Sequence, residues 1–118
     1  PRQMVQFGAL YLNRGQVNGT QVIPSRWIAE SFVPRGRSGF SNELYGYGWW
    51  IREMAGVPAY YAWGYGGQFI FVVPALDLVV ASTSSVTVSD DRRTHRRTVD
   101  ELVEAGIVAP IAASRATR

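Results

Sequence analysis

The sequence predicts an α+β fold, an antiparallel sheet covered by helices on both of its faces. Two apolar runs, Phe69 to Val73 and Leu78 to Ala81, are joined by the short turn-like Pro74-Ala75-Leu76-Asp77 and read as a hairpin. Neither run alternates between apolar and polar residues. Phe69 and Phe71 point one way while Ile70 and Val72 point the other, so both faces require cover. Helical patterns stand before and after the strand region and supply that cover.

Pro1 to Arg14 reads as the first helix. Met4, Phe7, Leu10 and Tyr11 recur at helical spacing, Val5, Ala9 and Leu12 widen the stripe, and Gly15 is a stop signal. No capping residue precedes Pro1, and the expectation is a piece cut from a longer chain. Asn18-Gly19 predicts a tight turn between Gln16-Val17 and Thr20 to Ile23. Pro24-Ser25 opens a short helix with Trp27, Ile28 and Phe32 on its apolar side, and Pro34 ends it. Arg35 to Asn42 is a polar surface loop. Tyr45 to Met54 has aromatic strand character, Gly56-Val57-Pro58 turns the chain, and Ala59 to Trp63 leads into the central hairpin. Ser89 or Asp90 caps a last helix to about Gly106, with Val99, Leu102 and Val103 inward and Arg96/Asp100 and Arg97/Glu101 as i,i+4 pairs. The expected division is a folded segment over 1–106 and a frayed tail over 107–118.

Composition narrows the chemistry. With 118 residues, 47% of them hydrophobic, the chain can bury a real core and is not a disordered segment. It has no cysteine, which excludes disulfides and thiolate metal sites. All 12 basic residues are arginine, which removes every mechanism needing a lysine base, Schiff base or P-loop lysine from this chain. The net charge of +3 is mild and spread along the chain, so no nucleic-acid partner is expected, and no stretch is long and apolar enough for a membrane span.

The basic run around Arg92 to Arg97 reads as a solvated helix face, because acids flank it and no aromatics accompany it. The single His95 reads as solvated too, and no metal-ligand spacing surrounds it. Ser82, Thr83, Ser84 and Ser85 lack a nucleophile-elbow turn and a nearby base, so no nucleophile is expected there. Gly64-Tyr65-Gly66-Gly67-Gln68 precedes a strand rather than a helix, which argues against a phosphate loop. Glycines in a strand margin mark close approach of a backbone or a ligand, and both readings apply here.

Three blocks in order, PRQMVQFGALYLNRGQVNGTQVIPSRWI, YGYGWWI and AWGYGGQFIFVVPALDLVVASTS, closely resemble the C-terminal part of β-lactamase-related serine hydrolases. These comprise the class C β-lactamase, DD-peptidase and esterase-like group, including 6-aminohexanoate-dimer hydrolase-like enzymes. The resemblance covers residues 1 to about 105. It implies part of the serine β-lactamase/DD-peptidase-like fold and hydrolysis of a small-molecule amide or ester through an acyl-serine. No cofactor or metal is implied.

In that family Ser-x-x-Lys carries the nucleophile, Tyr-x-Asn aids proton transfer, and Lys-Thr-Gly or a variant edges the site. The main-chain N–H after the third motif joins the oxyanion hole. The first motif is impossible here without lysine, and Tyr11-Leu12-Asn13 matches the second by letters only. Ala62-Trp63-Gly64 takes the place of the third, which makes Tyr65 N–H the oxyanion donor. Trp63, Gly64, Gly66, Gly67 and Gln68 then line the substrate. Tyr65-Gly66-Gly67 is the alternative register. The resemblance therefore implies a chain inactive alone, whose partner is the missing N-terminal part of the same protein. A non-catalytic binding module built on the same half-fold is the other reading.

Overall fold

The computed structural model describes residues 1–85 and 92–116. The expected cap at Ser89 or Asp90 lies outside the described residues.

Helix α1, Arg2–Leu12, ends two residues before the expected Arg14. Its stop is local. Asn13 N–H donates to Ala9 O at 2.8 Å, Gly15 N–H donates back to Leu10 O at 2.8 Å, and Gly15 takes a left-handed φ of 87°. Asn18-Gly19 then turns β1, Gln16–Val17, onto β2, Thr20–Gln21, as its two left-handed residues require. Helix α2 spans Ser25–Ser31. Ile28 is its buried anchor, whereas Trp27 is exposed and stacks on Tyr47, which corrects the apolar face expected for this helix.

Among the described residues six antiparallel strands follow in chain order, more than the strand runs read from the sequence. They are β3 Gly36–Arg37, β4 Leu44–Tyr45, β5 Trp50–Met54, β6 Val57–Gly64, β7 Gln68–Val73 and β8 Leu78–Ser82. A 3-10 turn at Pro74–Leu76 links the last two, which pair from Phe69 with Ser82 to Val73 with Leu78 as the hairpin pattern predicts.

The stretch expected as one strand from Tyr45 to Met54 is instead folded on itself. Tyr45 pairs with Trp50, Gly46 N–H donates to Trp49 O at 2.8 Å, and Tyr47 N–H donates to Ser31 O at 3.0 Å. Any side chain at Gly46 would run into that same Ser31 carbonyl, so glycine is needed for this docking of α2. The next turn is also displaced. Ala55 and Gly56 make it, with φ of 51° and 82°, and Pro58 lies inside β6. Proline is tolerated there because pairing with β7 begins only at Tyr60.

The sheet is covered on both faces. On one, α1 lies across β7 and β8, and Gly8 brings its backbone onto Ile70, Val72 and Val79. Rings extend this face: Trp49 is buried beside Phe7, Tyr11 and Phe32, and Phe32 stacks on Tyr60 with centroids 3.9 Å apart. On the other face lies the main core of Met54, Tyr61, Phe69, Phe71 and Val73, sealed by Val99, Val103 and Val108. Val99 and Val103 come from α3, Arg92–Val103, but Leu102 is 65% exposed and does not belong to its inward side.

Beyond α3 the expected frayed tail is helical. A π turn at Glu104–Val108 leads into α4, Ala109–Ala116, and Ile111 and Ala112 pack against the core. Glu104 accepts the Ala55 N–H at 3.0 Å, which ties this turn to the β5–β6 hairpin. No helix among the described residues is long and apolar enough to cross a membrane.

Candidate functional site

The glycine cluster forms the end of the β6–β7 hairpin. Gly64 pairs with Gln68, so Tyr65, Gly66 and Gly67 make a three-residue loop, closed by Gly67 N–H donating to Gly64 O at 3.2 Å. Gly66 and Gly67 both hold left-handed φ, 82° and 87°, which explains their identity locally. Tyr65 is 60% exposed and Trp63 45%, so two large rings border this end of the sheet.

The candidate residues do not share one role in the fold. A Cβ on Gly64 would make only ordinary contact with Gln68, its nearest atom at 3.5 Å, so packing alone does not demand glycine there. At Gly67 packing does: a Cβ would lie 2.9 Å from His95 Cδ2 and 3.1 Å from its Nε2. Gln68 turns its amide to the strand margin. Its Nε2 donates to Ser84 O at 2.7 Å and its Oε1 accepts Ser84 N–H at 3.2 Å, continuing the β7–β8 pairing beyond Ser82.

Two residues expected to be solvated stand against this end of the hairpin. His95 Nε2 lies 2.8 Å from Ser84 Oγ, as donor or acceptor according to the tautomer. The expectation that no base is near these serines is therefore wrong, because β8 and α3 converge at their ends. Arg96 is likewise no solvated helix-face residue. Its guanidinium lies over the Trp63 ring at 4.1 Å, and its Nη2 donates to Glu43 Oε2 at 2.6 Å and to Tyr61 Oη at 3.1 Å. Tyr61 Oη donates in turn to the same carboxylate at 2.5 Å.

Burial and charge set the chemistry of this network. Burial, reinforced by the Glu43 carboxylate it bonds, pushes the Tyr61 hydroxyl well above its usual value, so it is a hydrogen-bond donor and not a base. Burial opposes the Arg96 charge, but Glu43 and Tyr61 outweigh it and raise its pKa further. Asp100 does not pair with Arg96. It meets Arg52 Nη1 of β5 at 2.9 Å, and burial still raises its pKa above the ordinary carboxylate value.

Glu43, Tyr61, Arg96, Ser84 and His95 were not legible as neighbours of the glycine loop. The one sequence signal was parity: Tyr61 shares a strand face with Trp63, and a buried tyrosine needs a partner for its hydroxyl. Among the described residues no group of three His, Asp or Glu side chains is arranged to hold a metal.

Residues 1–104 match the family model described as Beta-lactamase. No curated protein matches the chain.

Proposed function

This chain belongs to the beta-lactamase family, and we propose that it is the C-terminal portion of a serine hydrolase that cleaves a small-molecule amide or ester. The family match over residues 1–104 carries this reading. In it, a serine outside these residues attacks the carbonyl carbon, the leaving amine or alcohol departs with a proton, and water later releases the acyl group. This chain contains no lysine, so the nucleophile and its lysine partner come from elsewhere in the protein and the chain is inactive alone.

Its own contribution is one wall of the site. Tyr65 N–H donates to the developing oxyanion, while Trp63, Gly64, Gly66 and Gly67 border the substrate and Gln68 holds the loop to Ser84. Gly64, which packing does not require, supports the register in which Ala62-Trp63-Gly64 is the third motif. The exposed rings of Trp63 and Tyr65, with Val5 and Phe7 exposed on α1, favour a piece of a larger structure over a self-standing binding module.

The test compares two changes in the full-length protein. Replacing the Tyr65 amide by an ester linkage removes the donor and lowers turnover about a hundredfold or more, whereas Tyr65→Phe costs little. A catalytic phenol would give the opposite pattern, and two silent changes would leave the loop a packing element. A fluorophosphonate probe should label a serine outside these 118 residues. A stoichiometric adduct on Ser84, despite its histidine neighbour, would overturn the assignment.

A further inference from the structure

We infer that His95 and Ser84 form a positioning pair that braces the Tyr65–Gly67 loop from the helix side. The inference rests on the reading above for its catalytic consequence, but not for its geometry. The loop has two left-handed glycines and is closed by a hydrogen bond from Gly67 N–H to Gly64 O at 3.2 Å. Glycines lose the most conformational freedom on ordering, so contacts from outside the loop help to hold its shape. The His95 ring fills the space beside Gly67 where a side chain would otherwise stand.

The ring is itself fixed. Its Nε2 is bonded to Ser84 Oγ at 2.8 Å, and Ser84 is held at both its main-chain groups by Gln68, the first residue after the loop. The path closes on itself: Gly67, Gln68, Ser84, His95 and back to Gly67. On the other shoulder the adjacent residue of α3, Arg96, stacks on Trp63, one residue before Gly64, and is tied to Glu43 and Tyr61. Consecutive helix residues thus hold the loop at Gly67 and the strand that leads into it at Trp63. An amide that must meet an oxyanion needs this fixity, since a displacement of ~1 Å at a reacting centre can cost about a hundredfold.

A nucleophile–base role for the pair is not favoured. Nε2 meets Ser84 Oγ, but among the described residues none hydrogen-bonds the opposite ring nitrogen to orient the ring as a base.

The experiment uses the full-length protein with His95→Ala, Ser84→Ala, the double variant and His95→Gln, whose terminal amide reaches about as far as Nε2. Two readouts are kept separate: hydrogen exchange of the Gly67 amide, and steady-state hydrolysis of a chromogenic ester. His95→Ala and Ser84→Ala should each speed Gly67 exchange and lower kcat about tenfold with KM nearly unchanged. The double variant should be no worse than His95→Ala, and His95→Gln should restore most of both. Unchanged exchange in His95→Ala, additive losses, or no rescue by glutamine would each overturn the inference. Faster exchange with unaltered kcat would uphold the brace and instead remove the loop from the catalytic machinery, which is the failure of the oxyanion reading alone.

Discussion

The two faces of the sheet are covered in opposite manners. Under α1 the contact is apolar and close: Gly8 lays helix backbone onto Ile70, Val72 and Val79, and a group of aromatic rings closes the side. Among the described residues no ion pair ties α1 to the sheet. Under α3 an apolar core centred on Phe69 and Phe71 is flanked by charged groups, Arg96 with Glu43 and Tyr61, and Arg52 with Asp100. Apolar contact is non-directional and supplies stability. Buried charge contributes little net stability but fixes geometry, since breaking one partner leaves the other exposed to the full desolvation cost. The charged face is the one that reaches Trp63 and the glycine loop, so the directional interactions lie beside the proposed site.

The largest effect that can break this comparison is in the core. Phe71 is fully buried between Tyr61, Phe69 and the α3 valines, and Phe71→Ala should cost ~3–5 kcal/mol in denaturant unfolding. A loss below about 1 kcal/mol would mean that α3 is not seated on this face. Next comes the polar flank. Glu43→Ala leaves Arg96 and Tyr61 without their shared acceptor, in a place where the Arg96 side chain is only 21% exposed. A loss of ~1.5–3 kcal/mol is expected, together with faster loop exchange at Gly67. A stability loss with an undisturbed loop would separate the network from the site.

The α1 face should respond to volume alone. A Cβ at Gly8 would sit 2.6 Å from Val79 Cγ1 and 2.9 Å from Ile70 Cγ2. Overpacking costs ~1–3 kcal/mol, and the better helix propensity of alanine returns up to about 1 kcal/mol. Gly8→Ala should therefore destabilise by about 1–2 kcal/mol net, with turnover of the full-length protein retained once folded. A large change in kcat at constant stability would show that α1 too is coupled to the site.

The apolar face was the legible one. Runs of β-branched and aromatic residues give strands, Asn18-Gly19 gives its turn, and Pro74 to Asp77 gives the last hairpin connection, because these signals are local. Tyr45 to Met54 misleads because the need for glycine at Gly46 lies in a carbonyl of α2, Ser31 O, fifteen residues earlier in sequence. The charged face was hidden for the same reason on a larger scale. Arg96 has acids at helical spacing, yet its partner is Glu43, 53 residues away. His95 and Ser84, eleven residues apart, read as an isolated histidine and a strand-end serine. Partner choice between distant charges is set by which strand ends meet which helix, and no periodicity records that.

The smallest predicted effect concerns Asp100, and it tests whether burial or pairing dominates on the charged face. Its carboxylate bonds Arg52 at 2.9 Å, an attraction that lowers its pKa, as does nearby Arg96. Burial acts the other way and prevails, with Glu43 adding repulsion, so the folded-state pKa lies above the ordinary carboxylate value of about 3.9. The folded protein then binds this proton more tightly than the unfolded chain does. The resulting stabilisation is fully present below the unfolded pKa and is lost as pH rises through the folded one. Other carboxylates superimpose their own slopes, so the useful quantity is the difference in unfolding free energy between wild type and Asp100→Asn, measured from about pH 3 to pH 7. That difference should become less favourable to wild type as pH rises through this window and then level off. A difference growing with pH would mean that the Arg52 pair outweighs burial, and that the charged face contributes stability as well as position.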